Sequence, residues 1–457
     1  MTDNKHQQYK DMESRWQKCR DASAGEHAVH SKGELYLPKL TGENADKYRK
    51  RKMMTPFFGA TWRTIKALRG MMFRKPPETN YPESMQALIE NIDYTGNSLT
   101  SFAQKVALES LTVGRVGVMV EYSQVSDYMT RADAQARGAR PFFTMYATEN
   151  IIDWDTVIDD GHKKLSMVRL REDSKNFSDI ELKDGEEIHR VLSLEEIGYV
   201  QRVYVVGAQK EAQAIDDIVP RMSGSAMQFI PFQFIGNDSI DTDVEIPPLM
   251  DLVDMNFHHY RQSSSYEHGC FISGLPSLFI FGNSDPDKVI YLGGSTANSF
   301  SDPQANAQFV EVTSAFDALL KNLDRKEQQM AVLGARMLES QKSGVESAEA
   351  IERRQSGDES ILADISTTIS KGLTNCMKWM AQWEGIESGD ISVQLNREFL
   401  PMKMTAQEIT ALMAAYIQRG LSYDALYHNF KRGGMYPEGR TLEDERGLID
   451  ESGANEI

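Results

Sequence analysis

Histidines, paired carboxylates and cysteines are the side chains of this sequence whose spacing invites a chemical reading. His258, His259 and His268 fall in one helical stretch, where imidazoles bind a divalent metal only if they meet on one face. On a helix His258 and His268 are ten residues apart, about 80° from one another around the axis and about 15 Å along it. One subunit therefore cannot bring both to a single ion, and polar-face or interface histidines are expected. His27 and His30 stand at i, i+3 and suit one ion, but no third ligand follows nearby. Asp159-Asp160 and Asp251/Asp254 have the composition of an acid–base couple. Their contexts, a turn and a helix start, favour Asp for backbone reasons instead. Cys19, Cys270 and Cys376 lie far apart, without metal spacing, which fits a reducing compartment rather than a disulfide framework.

Nucleotide and nucleophile motifs are missing as well. There is no G-x-x-x-x-G-K-[ST] to cradle phosphates, no G-x-G-x-x-G after a strand, and no G-x-S-x-G elbow. The expectation is a protein that is not an enzyme, with no catalytic, cofactor-binding or metal-ligating residues and no cofactor. A cytoplasmic metal-dependent enzyme acting on nucleic acid or phosphoesters is the alternative.

Composition narrows the class further. Of 457 residues, 40% are hydrophobic and 26% charged, which fits a folded chain too long for one ordinary core. Asp and Glu number 67 against 50 Lys and Arg, a net charge of -17. A sequence-independent DNA coat would be basic, because its affinity comes from neutralising phosphates. Residues 1–75 run the other way, with 17 basic against 8 acidic residues, leaving 33 against 59 in the remainder. The two ends are thus expected to meet different surroundings, or to be solvated faces of different sign. The polar N-terminus lacks the apolar core of a signal peptide, and no run approaches the roughly 20 apolar residues of a membrane span. Synthesis in the cytoplasm and no membrane partner are the expectations.

Periodicity lays out the elements that would position any site. The first 60 residues read as helix, loop, helix, with Lys47, Arg49, Lys50, Arg51 and Lys52 in the second piece. Phe58, Trp62, Ile65, Leu68, Met72 and Phe73 recur at helical spacing until Pro76-Pro77 stops them. Short helices are expected at Ser84–Ile92 and from Leu99, broken by Gly114 and Gly117. An antiparallel β region comes next, with strands at Val116–Tyr122, Pro141–Tyr146, Ile151–Trp154, Leu165–Glu172, His189–Leu192, Tyr199–Val206 and Phe229–Phe234.

Pro247-Pro248 opens a helix of about 20–22 residues. Strands at Ser277–Phe281, Lys288–Leu292 and Gln308–Val312 surround a Gly/Ser/Asn-rich loop, and a second long helix starts at an N-cap, Thr313 or Ser314. A polar gap at Ser340–Gly344 precedes a third long helix predicted over Ser347–Trp383. Its charge-rich first half, Glu346–Glu359, suits a solvated surface or interface ion pairs at Ile351–Arg354. A strand at Ile391–Leu395, helices at Ala406–Gln418 and Tyr423–Lys431 and an acidic tail close the chain. Two long helices bracketing a small β insert bury little alone, and neighbours arranged in a ring would complete their core.

This order resembles the portal proteins of tailed bacteriophages, in a portal-like branch of otherwise uncharacterised phage proteins. The resemblance is carried by TWRTIKALRGMMFRKPP (61–77), IPPLMDLVDMNFHHYRQSSSYEHGCFISGLPSLFIFG (246–282), AVLGARMLES (331–340) and SAEAIERRQSGDESILADISTTISKGL (347–373). It implies an α+β portal-type subunit with wing, long-helix stem, small β clip, tunnel loop and helical crown. The subunits would assemble as a ring, usually of twelve, at one capsid vertex of the virion. Genomic DNA would be packaged and ejected through that ring.

By resemblance, 1–246 would be N-terminal helices and β region of the wing, 247–272 the first stem helix, 273–312 the clip and 313–336 the second stem helix. Residues 337–347 would be the tunnel loop, 348–401 a long helix and strand of the wing, and 402–457 the crown and acidic tail. Glu339, Ser340, Gln341, Lys342, Ser343 and Gly344 would face double-stranded DNA in that loop. Asp285, Asp287, Lys288 and Asp302 of the clip would dock the terminase large subunit and then neck or adaptor proteins. Lys50, Arg51 and Lys52 are candidates for contact with DNA or with major capsid and scaffolding proteins. A channel that lets DNA slide cannot grip phosphate, so an acidic or mixed wall is expected, with Lys342 offset by Glu339 and Glu346.

Overall fold

The computed structural model describes residues 5–123, 133, 138–159, 161–173, 182–183, 185–207, 212–222, 224–273, 277–281, 290, 303–310, 316–338, 360–399, 406–432, 435–436 and 440–454. Helices and antiparallel sheets share the chain, which is the α+β class expected from the sequence. The chain divides into two compact units. One holds residues Met1–Glu13, Lys66–Pro247 and Ala335–Ile457; the other holds Ser14–Ile65 and Pro248–Gly334.

The first unit is built on two antiparallel sheets. Strands β2 (Val116–Tyr122), β3 (Pro141–Ala147) and β11 (Phe232–Ile235) form one, in the order β11-β2-β3. Strands β4 (Ile151–Asp159), β5 (His162–Glu172), β6 (Glu187–Glu195), β7 (Gly198–Val206) and β8 (Ala212–Ile218) form a five-stranded meander. The pair β9 (Arg221–Met222) and β10 (Ser225–Ala226) is a short hairpin. Strands β8 to β10 were not expected, because two alanines and the Asp216-Asp217 pair carry little β preference. Pairing with β7 imposes the extended form on β8 instead.

Helix α6 (Leu99–Val113) starts where Ser98 accepts a hydrogen bond from the Ser101 N–H and stops at Gly114, whose φ of 83° lies in the left-handed region. Helix α9 (Ile361–Glu384) crosses the three-stranded sheet and buries Ile365, Ile369, Leu373, Cys376, Met377 and Met380. Its Gly372 lets helix and sheet approach: a Cβ there would lie 2.6 Å from Ile235. The sequence predicted this helix to start at Ser347. Ser360 instead sits in extended conformation and caps α9 by accepting from the Ala363 N–H, so the helix begins at Ile361. A serine oxygen placed at the first free amides offers a start that an apolar period alone does not reveal. Strands β1 (Glu78–Asn80) and β14 (Ser392–Gln394) pair beside α9, where Thr374 and Ser370 accept from the Val393 and Leu395 N–H groups.

A buried charge cluster stitches the two sheets of this unit together. Arg190 on β6 donates to Glu121 on β2, and its Nε lies 2.7 Å from Glu172 Oε1 at the end of β5. Tyr146 on β3 donates to that same oxygen at 2.7 Å, Thr144 donates to Glu121, and Tyr199 of β7 is fully buried nearby. Two carboxylates thus face one guanidinium. Burial, reinforced by Glu172 and only partly opposed by Arg190, holds the Glu121 carboxyl above its ordinary value. A carboxyl raised on folding contributes stability below the unfolded value of about 4.3 and loses it as pH climbs through the folded one. Glu121→Gln is therefore expected to flatten the fall in melting temperature between pH 5 and pH 8, measured by circular dichroism. Parallel pH profiles for variant and wild type would refute that assignment.

The second unit gathers the later part of α1 (Gln7–Ala24), α2 (Glu26–Lys32), α3 (Ala45–Met54), the start of α4 (Ala60–Met72), α7 (Met250–Ser273) and α8 (Phe316–Ala335). Trp16, Cys19, Val29, Tyr36, Leu37, Phe57, Leu252, Val253, Phe257 and Tyr260 are buried in it. Asn256 of α7 pins the 58–61 segment, accepting from the Thr61 hydroxyl at 2.9 Å and donating to the Phe58 carbonyl at 2.7 Å. The strands predicted at Ser277–Phe281 and Gln308–Val312 appear as β12 (Ser277–Phe281) and β13 (Asn306–Val310), paired antiparallel. The strand expected at Lys288–Leu292 falls almost wholly outside the described residues.

Candidate functional site

A series of polar and aromatic contacts joins the two long helices. Helix α7 runs past α8 in the opposite sense. His259 meets Glu327 at 3.3 Å, Gln262 donates to the Leu319 carbonyl at 3.3 Å, and Tyr266 sets its ring edge-on to Phe316. Gly269 makes room at the end of this series, since a Cβ there would sit 2.6 Å from the Phe316 ring. Lys326 donates to Gln262 and lies 3.4 Å from the His258 carbonyl. The same antiparallel sense continues in the ribbon, where Ser277 pairs with Val310 and Phe281 with Asn306. Helix pair and ribbon are thus each antiparallel.

Electrostatics along the pair are mild. Burial lowers the His259 imidazole, with Glu327 pulling the other way, and Ser263 stands 3.4 Å from its second nitrogen. His258 is exposed and His259 buried, so the adjacent histidines face different surroundings. Lys18 pairs with Asp254 and rides over the Phe257 ring. Asp251 is exposed in the first turn of α7, and Asp159 is engaged by Lys164. His30 contacts the Thr55 carbonyl at 2.9 Å rather than sharing an ion with exposed His27. Among the described residues no three histidines, cysteines or carboxylates stand close enough to hold a metal.

Apolar side chains are left uncovered at the ribbon end. Phe271, Phe279 and Phe281 are 63%, 49% and 56% exposed, and Leu320 in the first turns of α8 is also exposed. An isolated two-stranded hairpin is marginal in water, and exposed phenylalanines on one leave apolar surface that a partner would cover.

The fate of the expected contact residues is uneven. Asp285, Asp287, Lys288 and Asp302 lie outside the described residues, as do Glu339, Ser340, Gln341, Lys342, Ser343 and Gly344. Lys50 is exposed, and Lys52 donates to the His30 carbonyl at 3.0 Å. Arg51 corrects the sequence reading. It is buried, grips both oxygens of Glu43 at 2.8 Å, and donates to Ser264 on α7 at 2.9 Å and to the Pro38 carbonyl at 2.8 Å. It fastens α3 and the 38–43 loop to the long helix and is not available to capsid or DNA. A short basic run did not reveal this, because the partners of Arg51 come from other parts of the chain.

The family model described as a domain of unknown function, DUF4055, matches residues 248–384, less than half of the chain. No curated protein matches. Among solved structures, a chain from the virion of a native gene transfer agent (GTA) particle superposes with a TM-score of 0.41 at 10% identity, covering 94% of this chain and 99% of that one. A chain from the neck of an empty GTA particle, computed with C6 symmetry, gives 0.42 at 10% identity, covering 84% and 91%. One from the neck of a native GTA particle, computed with C12 symmetry, gives 0.39 at 10% identity, covering 81% and 88%. Likenesses this loose carry no argument about what the chain does.

Proposed function

We propose that this chain is a portal-type subunit: a structural, non-catalytic member of a ring through which double-stranded DNA enters and leaves a phage-like capsid. The observation that supports this reading best is the antiparallel pair of long helices, α7 and α8, with the paired strands β12 and β13 between them in sequence and phenylalanines exposed on α7 and β12. A hairpin of that build cannot bury its own apolar surface, and side-by-side repetition of it in a closed ring would. The sequence resemblance at 61–77, 246–282, 331–340 and 347–373 supplies the portal identity.

On this reading α7 and α8 are the stem, β12 and β13 the clip facing terminase and later neck or adaptor proteins, and residues 337–347 the tunnel loop facing DNA. Helices α10 (Ala406–Ile417), α11 (Tyr423–Arg432) and α12 (Leu442–Ala454) belong to the crown. The net charge of -17 keeps sliding DNA weakly held.

Negative-stain microscopy and mass photometry of the purified protein test the proposal. Rings with a central hole and a mass near twelve times 51.6 kDa are expected. A species that stays monomeric across the micromolar range would falsify it.

A further inference from the structure

We propose that a groove of the first unit, between α9 and the open edge of β11, docks an extended acidic segment of another protein by strand addition. Helix α9 buries Ile365, Ile369, Leu373 and Met377, while Thr367, Lys371, Asn375 and Trp379 recur every four residues on another face. That second stripe walls two cavities of about 410 and 370 Å³. They meet at Ile240, whose carbonyl accepts from the Gln233 side chain at 2.9 Å, while Asn375 donates to that side chain at 3.0 Å. The first cavity is polar, with Lys371, Ser392, Gln394 and Arg397 in its wall. The second is aromatic, with Phe229, Phe232, Phe234 and Trp379.

Strand β11 ends its sheet and pairs on one side only, with β2. The Val120 N–H donates to the Pro231 carbonyl at 2.9 Å, which sets the alternation of the ladder. Gln233 and Ile235 then turn their backbone groups to β2, and Phe232 and Phe234 turn theirs to the open edge, along which the second cavity lies. There the Phe232 N–H donates to the Ile230 carbonyl and the Phe234 carbonyl accepts from Gln233, both at 2.8 Å. The Phe232 carbonyl and the Phe234 N–H are left for an extended chain, a pattern that a peptide backbone returns and a phosphodiester chain does not. Charge selects the kind of peptide. Lys163, Lys164, Lys371 and Arg397 in the walls face a single acid, Asp241, although residues 76–457 carry 59 acidic against 33 basic residues. Asp159 engages Lys164, whereas Lys163, Lys371 and Arg397 make no ion pair among the described residues. Glu78, opposite Gln394 in its ladder, lines neither cavity. Lys371 and Trp379 are about 12 Å apart along α9. At about 3.3 Å per residue, a carboxylate and an apolar side chain four residues apart on one strand reach both.

Peptide binding to the full-length chain, followed by fluorescence anisotropy, tests it. The probes are amidated DETVTF and its reverse, FTVTED, each with fluorescein at the N-terminus, because an open edge accepts a strand in either direction. One of them should bind at least ten-fold tighter than its charge-free counterpart, NQTVTF or FTVTQN. Lys371→Glu with Arg397→Glu should erase that preference; both positions are exposed, and circular dichroism melts check that the variant folds. Methylating the backbone nitrogens of the bound probe, which leaves every side chain in place, should weaken it at least ten-fold. Absent binding, equal binding of acidic and charge-free probes, or a preference that the double variant retains overturns the proposal. So does a methylated probe that binds as tightly as its parent, since no strand is then added. An oligothymidylate that binds where the peptides do not, and is lost in the double variant, gives the groove to nucleic acid and overturns the proposal as well. The groove lies within one chain, so a protein that forms no ring still answers, and failure of the peptides leaves the ring reading standing.

Discussion

Replacing Arg51 by alanine is expected to destabilise the protein by about 3–5 kcal/mol, the usual cost of removing one partner from a buried ion pair. The buried Glu43 side chain would lose the guanidinium donor from both oxygens and keep only the Leu40 N–H, while Ser264 and the Pro38 carbonyl would lose the donor that Arg51 gives them. The Arg51 hydrogen bonds, more than any other cause, hold the Glu43 carboxyl down at about 2. A carboxyl lowered on folding contributes stability above its unfolded value near 4.3 and loses it as pH falls through the folded value. Arg51→Ala should therefore lose most at neutral pH and resemble wild type near pH 2, if both remain folded there. Urea unfolding at pH 7 gives the size of the effect, and a cycle with Glu43→Gln should be strongly non-additive. Replacing both residues by apolar ones of similar volume should cost far less than either single change. A surface cation of the kind a capsid or DNA contact requires would shift stability by about 0.5 kcal/mol or less. A value in that range would restore Arg51 to the contact surface.

Phe257→Ala should cost a similar amount, about 3–5 kcal/mol, for a different reason. The ring is fully buried on α7, stacked on Tyr36 at 4.2 Å and tilted against Phe57 at 5.7 Å, with the Lys18 ammonium 5.4 Å from its centre. Truncation removes the transfer energy of the ring and leaves a cavity that two aromatic neighbours, each held from its own segment, cannot easily close. Phe257→Leu, which fills part of that space, should recover roughly half of the loss. Urea denaturation of the three proteins distinguishes this from a surface that merely loses area. A loss below about 1 kcal/mol for the alanine variant would mean that Tyr36 and Phe57 collapse into the gap.

Much of the element order was legible because the signals are local. Pro247-Pro248 followed by Leu249, Leu252, Val253, Phe257 and Tyr260 marks α7, and all five apolar residues are buried. The glycine at 114 ends α6 where its positive φ is needed, and alternation located β2 to β7 to within a few residues. Boundaries set by competition were harder to see. The helix predicted from Ser347 carried its apolar period only after Ser360, and the serine cap starts α9 there. Strand β8 exists because β7 offers it a ladder, whatever its own residues prefer.

Side-chain fates separate what the sequence decided from what only the tertiary structure decided. Hydrophobic periodicity, proline and glycine act within a turn or two of the chain. Class, most of the order of elements and the position of α7 therefore follow from the sequence alone. A charge acts on whatever the fold brings within a few ångströms. Nothing in KYRKRK tells Arg51, locked to Glu43 and Ser264, from exposed Lys50 beside it. Likewise nothing in the strands foretold that Glu121, Glu172 and Arg190 would share one buried site. Desolvation and pairing set the role of an ionisable group, and both are properties of packing between distant segments.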